Sequence, residues 1–137
     1  MDAQILLVDD DEVDVRTVRR AFRRQGRAQQ LLVARNGVEA LARLRTWSGS
    51  SNGPLLILLD LNMPQMNGFE FLDQLRADPD LKRHVVFVLS TSEEVRDIRS
   101  AYDRCAAGYM MKSEIGKNPK ILTELLSSYL GAVHLPS

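Results

Sequence analysis

Leu55-Leu56-Ile57-Leu58-Leu59-Asp60-Leu61-Asn62-Met63-Pro64 carries the fold assignment. Five aliphatic side chains run without a polar interruption, and a carboxylate follows. An apolar run this short suits a strand buried on both faces, as in a parallel sheet. Four similar runs stand on either side: Ile5-Leu6-Leu7-Val8, Gln30-Leu31-Leu32-Val33, Val85-Val86-Phe87-Val88-Leu89 and Gly108-Tyr109-Met110-Met111. Between them lie amphipathic segments at helical spacing. Their residues are Val15, Val18, Arg19 and Phe22; Val38, Leu41 and Leu44; Phe69, Leu72 and Leu75; Val95, Ile98 and Tyr102; and Leu122, Leu125, Leu126 and Tyr129. Five strands alternating with five helices predict right-handed crossovers and an α/β doubly wound parallel sheet covered on both faces.

Local signals mark the helix ends. Asn36-x-x-Glu39, Asn67-x-x-Glu70 and Thr91-x-x-Glu94 each read as an N-cap with a carboxylate three residues on. Asn118-Pro119 reads as an N-cap followed by proline at the first helical position. Gly26 and the polar stretch 49–53 close the first two helices, and 131–137 reads as a short tail.

The 137 residues fit one domain, with a core over about 4–130. Lys+Arg and Asp+Glu both number 18, so global charge argues for neither a nucleic-acid nor a membrane partner. A single cysteine cannot form an internal disulfide. No apolar stretch approaches the ~18 residues of a membrane span, and Met1-Asp2-Ala3-Gln4 lacks a basic leader. The expectation is a soluble, cytoplasmic, single-domain protein.

Ligand sites in open α/β sheets lie beyond the carboxyl ends of the strands. Asp9-Asp10-Asp11-Glu12 follows the first run, Asp60 ends the third, Ser90-Thr91-Ser92 follows the fourth, and Lys112 follows the fifth. Three carboxylates therefore converge beside a hydroxyl and an ammonium. Two such charges ~4 Å apart repel by ~1 kcal/mol in water and ~4 kcal/mol at an effective dielectric of about 20. Lys112 neutralises one unit only, so a hard divalent cation such as Mg²⁺ explains the cluster better than packing does. Asp11, Glu12 and Asp14 read more simply as acids favouring a helix start. Asp9 and Asp10 alone would read the same way; Asp60 changes the balance.

Val8-Asp9-Asp10, Asp60-x-Asn62-Met63-Pro64-x-Met66-Asn67-Gly68, Ser90 and Gly108-Tyr109-x-x-Lys112 together resemble the receiver domain of bacterial response regulators. The resemblance runs from about residue 4 to residue 130. It implies a flavodoxin-like sheet of order 2-1-3-4-5. It also implies that Asp60 is the phosphoacceptor, attacking a phosphohistidine of a sensor histidine kinase to form an acyl phosphate. Asp10 would then bind Mg²⁺ (or Mn²⁺) directly, together with Asp60 and the Asn62 backbone carbonyl, and Asp9 would act through water. Lys112 would pair with a phosphoryl oxygen, and Ser90 would hydrogen-bond the phosphoryl group. Ser90 and Tyr109 would form the switch, altering a face of the fourth helix, fifth strand and last helix that includes Val95, Ile98, Arg99 and Tyr102. Such a protein accepts and slowly sheds its phosphoryl group and is a switch, not an enzyme.

One position departs from the family. Its usual proline after the lysine is Ser113 here, which implies a differently arranged loop over 113–118. A subgroup of single-domain regulators that work with bacterial phytochrome kinases is similar at this point and in its Leu135-Pro136 tail. That similarity implies a light-regulated kinase partner and a homodimer through the switch face.

Other features read as bland. Arg16, Arg19, Arg20, Arg23, Arg24 and Arg27 suit a solvated helix end, with kinase docking the next reading and nucleic acid a distant third. Cys105 falls on the apolar stripe of the fourth helix and reads as a buried thiol. His84 and His134 lack metal-ligand spacing, and Trp47 reads as packing. A flavin carrier would want a Ser/Thr/Gly-rich phosphate loop where Asp9-Asp10-Asp11 stands. An aspartyl-nucleophile hydrolase would want an Asp at position 62. A phosphorylation-independent interaction module with this fold would not need every reactive position intact.

Overall fold

The computed structural model describes residues 3–48, 53–63 and 66–136. Pro64 and most of the 49–53 stretch therefore lie outside the described residues, as do residues 1–2 and 137. The chain runs β1 (Gln4–Val8), α1 (Glu12–Arg24), a 3₁₀ turn (Ala28–Gln30), β2 (Leu31–Ala34), α2 (Gly37–Ser48), β3 (Leu55–Asp60), α3 (Gly68–Ala77), β4 (Val85–Ser90), α4 (Val95–Asp103), β5 (Gly108–Met111), α5 (Lys112–Lys117) and α6 (Lys120–Ala132). All pairings are parallel, and the sheet order is β2-β1-β3-β4-β5. This is the flavodoxin-like order expected, with β3 central and all six of its residues buried.

The period of two along each strand divides the core. Leu55, Ile57 and Leu59 pack with Leu41, Leu44, Phe71, Leu72 and Leu75, the buried stripes of α2 and α3. Leu56 and Leu58 face the other way, against Val15, Val18, Phe22, Leu122 and Leu126 of α1 and α6. Phe87 meets Tyr129 edge to face at 5.1 Å. Each fully buried side chain of this size stabilises by ~2 kcal/mol, so these two layers hold helices too short to persist alone.

Five expectations need correction. Residues 113–118 are not a loop throughout, because Lys112 opens a sixth helix, α5. Gln30 belongs to the 3₁₀ turn, and β2 starts one residue later. Asn118 is not a side-chain cap; Pro119 is the N-cap, and the Asn118 carbonyl accepts from the Ile121 N–H at 3.0 Å. Thr91 caps nothing either: α4 starts after Glu94, whose N–H donates to Ser92 Oγ at 3.2 Å. Cys105 is exposed, because the chain has already left α4 there, with φ +64. The other caps form as read. Asn67 and Glu70 make a reciprocal capping box, and Asn36 Oδ1 accepts from the Glu39 N–H at 2.8 Å.

Arg76 of α3 ties two distant connections together. Its guanidinium donates to the carbonyls of Lys82, His84, Arg104 and Cys105 at 2.7–2.9 Å. Among the described residues, no helix is long and apolar enough to cross a membrane.

Candidate functional site

Strand alternation selects which side chains meet. On β1 and β3 the series Ile5, Leu7, Asp9 and Leu56, Leu58, Asp60 face the α1–α6 side. Met110 of β5 faces that side too, so the same alternation carries Lys112 there. The carboxyl ends of β1, β3 and β5 thus deliver two carboxylates and an ammonium to one point. The loop after β3 is pinned by Gly68 at the start of α3, whose N–H donates to the Leu61 carbonyl at 2.9 Å. A Cβ on Gly68 would lie 2.6 Å from Leu61 Cα and 2.8 Å from the Asp60 carbonyl oxygen. Only glycine admits that approach.

Asp9 and Asp60 are buried, at 0% and 2% exposure, whereas Asp10 is exposed. Asp9, Asp10 and Asp60 each offer a carboxylate oxygen, all within 4.8 Å of one another. Asp60 Oδ1 accepts from the Asn62 N–H at 3.2 Å and lies 3.1 Å from Lys112 Nζ. Asp9 Oδ1 accepts from the Asp11 N–H at 2.9 Å. Asp9 Oδ2 has no hydrogen-bond partner and lies 3.3 Å from Lys112 Nζ, an ion-pair distance without hydrogen-bond geometry. Burial, aided by the charges of Asp60 and Asp14, pushes the Asp9 carboxyl up to about 7. Burial also raises Asp60, against the pull of Lys112 and the Asn62 N–H. Burial alone would lower Lys112, but the Asp14 hydrogen bond and the charges of Asp9 and Asp60 hold it above the usual lysine range. The site is therefore short of positive charge, and its oxygen donors fit a hard divalent cation.

An open cleft above these groups is lined by Asp10, Asp11, Asp14, Asp60, Asn62, Thr91, Lys112 and Ser113. Ser90 and Tyr109 are not among its lining residues. Alternation turns them to the other side of the sheet, where Val88 and Tyr109 pack with Leu61, Ala101 and Ala106. Ser92 joins them: its N–H donates to Ser90 Oγ at 3.0 Å, and its carbonyl accepts from Tyr109 Oη at 2.9 Å. Ser92 Oγ donates to Asp97 of α4 at 2.6 Å, so the pair is linked to that helix. Two contributors escaped sequence reasoning. Asp14, read as a helix-start acid, accepts from Lys112 Nζ at 2.6 Å, and Thr91, read as a helix cap, lines the cleft. The one signal for Asp14 was its place three residues past the cap Asp11, on the first turn of α1.

The model of the response regulator receiver domain matches residues 5–125. Response regulator Rcp1 of Synechocystis sp. is 36% identical over 136 residues, covering 97% of this chain and 92% of Rcp1. The crystal structure of the phosphorylated cyanobacterial phytochrome response regulator RcpA superposes with a TM-score of 0.85 at 34% identity, covering both chains completely. The Mn²⁺-bound form of Rcp1 gives 0.80 at 34% identity, covering 98% of this chain and 99% of that one. On the reach of that match and the identity to Rcp1, the chain belongs to the response regulator receiver domain family.

Proposed function

We propose that this chain is a phosphoacceptor switch of a two-component system, with Asp60 as the acceptor. The observation that carries it is the buried Asp60 carboxylate beside Lys112 Nζ, with Asp9 and Asp10 gathered at the same strand ends. An Asp60 carboxylate oxygen attacks the phosphorus of a phosphohistidine on a sensor kinase. The new P–O bond forms as the P–N bond breaks, and the imidazole leaves and takes up a proton. Asp60 needs no unusual basicity for this, because positioning and charge stabilisation do most of the work in phosphoryl transfer. Lys112 neutralises a phosphoryl oxygen.

Asp10, Asp60 and the Asn62 backbone carbonyl would hold Mg²⁺ or Mn²⁺, with Asp9 supporting it through water. The unpartnered Asp9 Oδ2 and the shortage of positive charge are what such an ion satisfies. Bound there, the ion supplies positive charge against the oxygens of the transferring group.

Ser90 is drawn toward the arriving phosphoryl group, releasing the Ser92 N–H that its hydroxyl now accepts. Ser92 also holds Tyr109 and the first turn of α4, so the change reaches the face of α4, β5 and α6, where Val95 and Tyr102 are exposed. That face signals to a partner or to a second copy. The likeness to Rcp1 and RcpA supports a phytochrome-type kinase as the donor.

The test is intact mass after incubation with Mg²⁺ and acetyl phosphate, for the wild type and Asp60→Asn. One hydroxylamine-labile phosphoryl adduct, in the wild type alone, is expected. No adduct sinks the assignment and leaves a phosphorylation-independent binding module; the same adduct in Asp60→Asn moves the acceptor to another residue.

A further inference from the structure

Lys112 Nζ lies 2.6 Å from Asp14 Oδ2, nearer than the 3.1 Å to Asp60 and 3.3 Å to Asp9. An ammonium has three donors and no acceptor, and three carboxylates face this one. Asp14 is half-buried on the first turn of α1. With Asp9, Thr17 and Val18 it lines a cavity of about 50 Å³ that Lys112, Ile115 and Gly116 also border. Lys112 is the first residue of α5, so helix start and carboxylate fix the two ends of its side chain.

The three carboxylates differ in what phosphorylation does to them. Asp60 loses its charge when it becomes an acyl phosphate, so its contact with Nζ weakens as the phosphoryl group arrives. Asp9 belongs to the candidate cation site. Asp14 stands outside the reacting set, and its charge-assisted bond to Nζ persists throughout. We infer that Asp14 is a positioning residue for phosphoryl transfer, anchoring Lys112 Nζ so that its remaining N–H donors stay directed at Asp60 and the group it receives. The inference rests on the phosphoacceptor reading above. It is an instance of donors held in place before charge develops, which avoids reorganisation during the reaction.

The plain alternative is that Asp14 merely adds negative charge for the cation. In that case Asp14→Asn would weaken metal binding and leave the rate at saturating metal unchanged. The α1 cap comes from Asp11, so Asp14→Asn leaves it in place. The experiment measures phosphorylation by acetyl phosphate at saturating Mg²⁺ in the wild type, Asp14→Asn and Asp14→Glu. The ζ-ammonium proton resonance of Lys112 is followed by NMR in the same proteins without phosphodonor.

The Asn variant is expected to be slower by about tenfold, the scale of one charge-assisted hydrogen bond, and Glu to recover part of the loss. The ammonium resonance, protected from water in the wild type, is expected to exchange away in Asp14→Asn. A wild-type rate in Asp14→Asn at saturating Mg²⁺ overturns the positioning role, as does a resonance equally protected in both proteins. If the wild type itself takes no phosphoryl group, the phosphoacceptor reading has failed, and the resonance alone then decides whether Asp14 anchors Lys112.

Discussion

Asp9 has been carried out of water to stand beside Asp60, and burial shifts its ionisation. Unfolded, it ionises near 3.8; folded and without a cation, burial raises it to about 7. Between those values the native state holds the extra proton, so this residue's contribution to stability falls as pH climbs from about 4 to 7. His84 shifts the opposite way, burial lowering it, and so obscures the effect in the wild type alone. A comparison with Asp9→Asn cancels that background. Without metal, Asp9→Asn should be more stable than the wild type by ~4 kcal/mol at pH 8, the gain fading toward pH 4. Urea melts across that range measure it, and a difference independent of pH would remove the proposed burial penalty. Asp9 and Asp60 were legible in the sequence because each directly follows or ends an apolar strand. Asp14 was not. A first-turn acid looks the same whether it serves the helix or a lysine 98 positions away.

Helix ends explain most of the remaining misreadings. The spacing of Val95, Ile98, Tyr102 and Cys105 is helical, yet the backbone turns out of α4 before Cys105. Cys105 N–H donates to the Tyr102 carbonyl at 2.9 Å and Ala106 N–H to the Ala101 carbonyl at 3.1 Å. Those bonds are the Schellman pattern, with Cys105 left-handed where glycine is usual. Gly26 ends α1 by the same pattern at φ +68, with the Arg27 N–H reaching the Phe22 carbonyl at 2.9 Å. A glycine announces such an end in the sequence and a cysteine does not. The Asn67–Glu70 box was legible because both halves of it are local. The α5 turn was not, since six residues carry too little periodicity to mark a helix. Two substitutions test this account with opposite signs. Cys105→Gly should stabilise by ~1 kcal/mol, relieving the left-handed strain while keeping the carbonyl that Arg76 uses. Gly26→Ala should destabilise by about as much, and only through the backbone, since a Cβ there meets nothing within 4 Å. Thermal melts returning the same sign for both would show that side-chain contacts, not φ, set these ends.

Over the whole molecule the formal charges cancel, but two local clusters stay apart. Asp9, Asp10, Asp14 and Asp60 gather at the carboxyl end of the sheet, while Arg16, Arg19, Arg20, Arg23, Arg24 and Arg27 line α1 and its end without an ion pair among the described residues. Within the cleft, Lys112 alone among the described residues opposes Asp9, Asp10, Asp14 and Asp60. A divalent cation bridging the ends of β1 and β3 should therefore act on the fold as a whole, since it binds a site that unfolding destroys. At about 100 times its dissociation constant, Mg²⁺ should stabilise the wild type by ~2.7 kcal/mol. Asp10 is exposed, so Asp10→Ala opens no cavity and should alter metal-free stability by less than about 0.5 kcal/mol. The same Mg²⁺ concentration should then stabilise Asp10→Ala much less than the wild type. NaCl at matched ionic strength separates binding from screening, because simple screening would also relax the crowded carboxylates. Equal stabilisation of both proteins by Mg²⁺ would place the cation elsewhere than at Asp10, and an equal effect of NaCl would reduce the stabilisation to screening.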